Sequence, residues 1–232
     1  MMDNIMKTHL QRYFWFVIGI IINSFGVALI TKAGLGTSPI SSVSYVLSLQ
    51  FPFTLGQFTF IVNMIFILAQ FILLKKDFEP IQFLQIVVNV IFSACIDISM
   101  NLLSWLTINN FMVGLFALLI GCSVLALGIS IEVAPDVLVV PGEGIVRAIS
   151  TVVEKRFGTI KIIFDVTLVS IATILSFLFF GKLSGLGLGT IISAIIVGYI
   201  VNLLNKKFLL ISYIKTLVNQ EEDCESKENV TV

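Results

Sequence analysis

The chain has 232 residues, of which 57% are hydrophobic and 12% charged, and its mean hydropathy is +1.05. A soluble domain of this length needs a mixed charged surface, so the composition excludes one and predicts a polytopic integral membrane protein. The formal net charge is zero, which offers no basic surface for a nucleic acid.

Six apolar segments of bilayer length are predicted at 13–31, 54–74, 81–106, 111–133, 160–180 and 186–204. The first has an apolar core too long for an ordinary signal peptide and is expected to be a retained span. These segments divide the chain into a short N-terminus (1–11), two membrane halves (12–106 and 107–210) and a disordered polar tail (211–232). The Asn229-Val-Thr triplet matches a glycosylation acceptor, but a cytoplasmic tail never meets that machinery.

Segments 32–50 and 133–157, after spans one and four, do not span. Each opens with glycine-rich or proline-rich chain, then Pro39 or Pro141, then a helix-compatible stretch too short for a ~30 Å core. Proline suits a first helical turn, and Ser38 is expected to cap the first of these helices. Ser41, Tyr45 and Ser48 share one face, as do Glu143, Arg147, Ser150 and Glu154. Two placements fit: a helix lying at the membrane surface, or a re-entrant element lining a polar cavity. Gly34, Gly36, Gly142 and Gly144 favour the second by permitting close approach.

Gly26 and Gly128 stand 102 positions apart, and the same offset pairs Gly19 with Gly121, Pro39 with Pro141, Ser48 with Ser150, Gly56 with Gly158 and Asn63 with Asp165. A repeat of three spans must invert in the bilayer, so the fold class expected is all-α membrane protein with two inverted three-helix repeats. Gly19, Gly26 and Ala33 recur every seven residues, as do Gly114, Gly121 and Gly128. Such stripes let helix backbones approach in lipid, which predicts that spans one and four meet.

Lys7, Arg12, Lys75, Lys76, Arg147, Lys155, Arg156, Lys161, Lys206, Lys207 and Lys215 fall on one side of six alternating spans, and only Lys32 and Lys182 on the other. The positive-inside rule puts both termini in the cytoplasm. Cys95, Cys122 and Cys224 have no metal-type spacing and His9 is the lone histidine. With no catalytic constellation, neither an enzyme nor a cofactor or metal site is expected.

An ionised side chain near the bilayer centre costs roughly 2.5–3.5 kcal/mol, so acids in or near spans need a purpose. Asp97, Glu132, Asp136 and Asp165 are candidates for gating or ion coupling. Thr37, Ser38, Ser41, Ser42 and Asn63 from the first half, with Gly142, Glu143 and Arg147 from the second, are candidates for binding a polar or zwitterionic solute. Glu143 and Arg147, four apart, are also expected to pair with each other.

The stretches 26–42 (GVALITKAGLGTSPISS), 53–57 (FTLGQ) and 139–144 (VVPGEG) resemble the YczE/YyaS/YitT-type family of bacterial polytopic membrane proteins, over about residues 12–207. The resemblance implies a bacterial cytoplasmic membrane and supplies neither a substrate nor binding residues. The function expected is transport of a small polar metabolite between the repeats. A non-transporting protein that binds lipid or a partner, and a substrate-binding subunit of a larger transport complex, are the alternatives. Expected partners are the bilayer, the solute and either a second copy or another membrane protein.

Overall fold

The structure is a computed structural model that describes residues 2–75 and 78–218. The readings on Lys76, on the tail from 219 onward with Cys224, and on the Asn229 triplet lie outside the described residues. Every described element is helical: α1 (Met2–Lys32), α2 (Ser42–Gln50), α3 (Leu55–Leu74), α4 (Leu84–Leu102), α5 (Phe111–Val133), α6 (Pro141–Val153), α7 (Phe157–Phe180), α8 (Leu188–Lys207) and α9 (Leu209–Val218). Among the described residues six helices, α1, α3, α4, α5, α7 and α8, are long and apolar enough to cross a membrane. The chain is a multi-pass membrane protein.

Local chemistry sets the ends. Thr54 caps α3 in a reciprocal box with Gln57, Asn110 Oδ1 accepts from the Met112 amide at the start of α5, and Gly181 closes α7 at φ 65°. Pro39 opens a 3-10 turn ahead of α2, and Pro141 opens α6. Ser38 precedes that turn without capping it; its hydroxyl donates to Ser41 Oγ at 3.0 Å instead.

The core of the bundle is the antiparallel seam between α1 and α5. Gly19 lies against Glu132, Gly26 against Leu125, Gly121 against Ile30 and Gly128 against Asn23. A β-carbon on Gly121 would come within 2.8 Å of Ile30 Cγ1, so only glycine permits this separation. Spans one and four therefore meet along their small-residue stripes, as the sevenfold spacing predicts. α4 flanks α1, and α8 flanks α5.

A second cluster joins α2, α3, α6 and α7 through Val46, Val62, Phe66, Ile145, Leu168 and Ala172. Each short helix packs on both α3 and α7. Their N-terminal portions are buried, with Ser42 and Val46 of α2 and Gly142 and Val146 of α6 shielded, and Gly142 faces Ile40. These ends sit inside the helix bundle.

Residues 211–218, which composition assigned to a disordered tail, are helical. Ile211, Ile214 and Leu217 are buried, and Ile211 and Ile214 join a cluster with Ile131 and Ala134 beside Trp15 and Ile18. One apolar residue every third position makes a stripe that an average over the whole tail conceals.

Candidate functional site

A cavity of about 1170 Å³ opens between α7 and α8 and reaches inward to α1, α5 and the N-terminal ends of α2 and α6. One wall is polar, with Asn23, Ser38, Ser41, Ser44, Thr59 and Asn63. The facing wall is largely apolar, with Val166, Val169, Ile191 and Ile195. Glu143, Arg147, Lys161 and Asp165 bring four charges to the lining.

Lys161 Nζ donates to Asp165 Oδ1 at 2.6 Å, one helical turn along α7. Arg147 does not pair with Glu143. Its guanidinium lies 3.9 Å from Asp136 Oδ1, and both side chains are more than half exposed. The reason is local: Asp136 takes a left-handed backbone at φ 46°, and Arg12 donates to the carbonyls of Pro135 and Asp136 at 2.9 and 3.1 Å, which holds this loop beside α6. Glu143 is left facing the cavity, with Oε2 buried and without a hydrogen-bond donor. Burial pushes the Glu143 carboxyl above the ordinary carboxylate range; Lys161 pulls it down, Asp165 pushes it further up and Arg147 pulls it down.

Glu132 stands behind the wall, fully buried. Asn23 Nδ2 donates to it at 2.7 Å and the Val140 amide at 3.4 Å. Of the sequence candidates, Ser38, Ser41, Asn63, Gly142, Glu143, Arg147 and Asp165 line the cavity. Thr37 does not: its hydroxyl meets Thr31 Oγ1 at 2.9 Å, its amide donates to Thr190 Oγ1 at 3.2 Å and its carbonyl accepts from Ser193 Oγ at 3.4 Å, tying the 34–38 loop to α8. Ser42 is also turned inward and donates to the Pro39 carbonyl at 2.6 Å.

Asp97 lies outside the cavity and caps a neighbouring helix, accepting from Thr54 Oγ1 at 2.6 Å and the Gly56 amide at 2.8 Å. Lys161, Ser44, Thr59, Thr190 and Ser193 line the cavity and were not among the candidates. The spacing of Lys161 and Asp165, four apart on one helix face, is the signal that identifies the first of them.

Six long apolar helices packed around a cavity that is mostly apolar, with a few polar and charged side chains in its lining, define a multi-pass membrane protein. The chain belongs to the family described as a family of unknown function, DUF6198, whose profile matches residues 10–206. It is similar to "Uncharacterized protein YyaS" of Bacillus subtilis (strain 168), with 25% identity over 194 residues that cover 83% of this chain and 91% of that relative. The resemblance carried by segment 26–42 is in accord with both. No solved structure matches the chain.

Proposed function

We propose that the protein is a transporter of the bacterial cytoplasmic membrane that carries a small polar metabolite through the α7/α8 cavity, its halves being inverted repeats. A single relationship supports this reading. In the first half α3 is closed on α4: Gly56 is pressed against Ser93 and Asp97, Asn63 Nδ2 donates to Asn89 Oδ1 at 2.9 Å, and Gln70 and Gln85 exchange two bonds of 3.1 Å. An offset of 102 along α7, and of 105 along α8, converts Gly56, Asn63, Asn89, Ser93 and Asp97 into Gly158, Asp165, Ala194, Gly198 and Asn202. All five line the cavity, and nothing stands within 4 Å of a β-carbon built on Gly158 or Gly198.

The same helix face is thus sealed in one half and open in the other, which is the asymmetry alternating access requires of an inverted repeat. With both termini in the cytoplasm, as the Lys and Arg bias favours, the open half faces inward and Asp97 latches the outer side. In the opposite state α3 parts from α4 and α7 closes on α8.

Thiol accessibility in intact cells tests this. In a background with Cys95, Cys122 and Cys224 replaced by serine, Ala194→Cys is expected to react from the cytoplasmic side and Ser93→Cys from the outside with a membrane-impermeant reagent. A Ser93→Cys variant that folds and never reacts from outside would leave a protein with one resting state, and the lipid- or partner-binding reading would replace transport.

A further inference from the structure

We propose that the group by which this cavity recognises its solute is a protonated amine, received by Glu143; the inference rests on the transport reading for the cavity being a solute site. Both cations of the lining already have acids. Lys161 is bonded to Asp165 at 2.6 Å, and Arg147 lies beside Asp136 at the exposed end. Glu143 is the remaining charge, and its Oε2 is buried without any donor. The charged neighbour behind it is again an acid, Glu132, whose oxygens are satisfied by Asn23 and the Val140 amide.

Glu143 Oε2 is therefore a spare acceptor, and the two cations near it are turned to Asp165 and Asp136. Desolvated carboxyl oxygens are costly unless a donor reaches them, and an ammonium brings three donors and a compensating charge in a compact group. A carboxylate solute would meet Glu143 with like charge and supply no proton. The apolar facing wall, with Val166, Val169 and Ile195, suits an uncharged hydrocarbon or aromatic body behind the amine. The class expected is a small primary amine with an apolar side, and no second charge is needed.

Purified full-length protein in nanodiscs, titrated calorimetrically with phenethylamine, phenethyl alcohol and phenylacetate, tests the class. Phenethylamine is expected to bind at least about ten-fold more tightly than the alcohol, the worth of one charge-assisted hydrogen bond, and phenylacetate least tightly. Glu143→Gln is expected to lose that ten-fold preference, and an unchanged elution profile and helical circular-dichroism signal show that the variant is folded. Equal binding of amine and alcohol, or tighter binding of phenylacetate, overturns the inference without any variant. So does an amine preference that survives Glu143→Gln.

Exchange of radiolabelled phenethylamine and phenylacetate in proteoliposomes, against protein-free vesicles, separates the two readings. Amine bound with its preference but not exchanged supports the recognition site and removes transport. Carboxylate exchanged by the protein supports transport and overturns the amine.

Discussion

Gly26 of α1 and Leu125 of α5 meet backbone to backbone: a β-carbon on Gly26 would lie 2.5 Å from both the amide nitrogen and the Cα of Leu125. Gly26→Ala must push α1 and α5 apart, and overpacking of this kind costs about 1–3 kcal/mol. Gly158→Ala meets nothing within 4 Å and is the matched control, expected to leave stability unchanged or slightly raised. Thermal unfolding of the two variants in the same detergent checks the difference.

Asp97 serves two donors of α3, Thr54 Oγ1 and the Gly56 amide. Asp97→Ala removes a charged cap from a helix terminus and is expected to cost about 1–2 kcal/mol. On the transport reading it also unlatches the outer side, so outside labelling of Ser93→Cys speeds up in the double variant. Lower stability with unchanged labelling confines Asp97 to capping.

Asn63 and Asn89 bridge α3 and α4 at 2.9 Å. Replacing both with cysteine and joining them with a short thiol crosslinker pins the first half shut. Solute exchange is expected to stop on crosslinking and to continue in the same double variant left uncrosslinked. Continued exchange after crosslinking would mean that α3 and α4 never part.

The pH dependence follows from Glu143, whose carboxyl burial holds above the ordinary carboxylate range, with Asp165 adding to the rise and Lys161 and Arg147 opposing it. Glu132 is the remaining acid near it. A group with a raised folded-state pKa binds protons more tightly when folded, so its contribution to stability is present at low pH and is lost as pH climbs through the raised value. Amine binding runs the other way and strengthens over that same interval, because only the carboxylate receives an ammonium. Melting and calorimetric titrations across the interval are expected to diverge in wild type, and the divergence is expected to shrink in Glu143→Gln.

Ile214 of α9 is fully buried against α5 and the start of α1. Ile214→Ala is expected to cost about 2–4 kcal/mol, the usual penalty for emptying a filled apolar site. A loss below about 0.5 kcal/mol in chemical unfolding would mean that α9 adds little to the bundle.

The six spans and the α1/α5 seam were legible because they depend on short-range periodicity: unbroken apolar runs of bilayer length and a small residue every seventh position. That Ser38, Ser41, Asn63, Glu143 and Asp165 line a cavity was legible for a different reason, since a polar group within or beside an apolar span must face something. The misses share a cause. Arg147 prefers Asp136 because Asp136 adopts a left-handed turn that Arg12 helps to hold, and no i to i+4 rule contains that loop. Thr37 lies off the cavity, its hydroxyl on Thr31 and its backbone on α8, and Asp97 lies off it on α3. A hydroxyl or carboxylate that ties the fold together is composed of the same atoms as one that binds solute, and only long-range packing separates them.

The glycine seam has a mechanical implication. Its contacts come in two matched pairs, Gly19 on Glu132 with Gly121 on Ile30, and Gly26 on Leu125 with Gly128 on Asn23, each pair exchanged by the 102-residue offset. Under the proposed cycle, trading the roles of the halves leaves such a bearing in the same geometry, so it exerts no torque toward either side. The resting orientation is then weighed almost wholly by the outlying helices, where α3 and α4 hold three sets of polar ties and α7 and α8 hold an open gap. On that cycle, substitutions among Asn63, Gln70, Gln85, Asn89 and Asp97 are expected to shift the balance toward an outward-open protein.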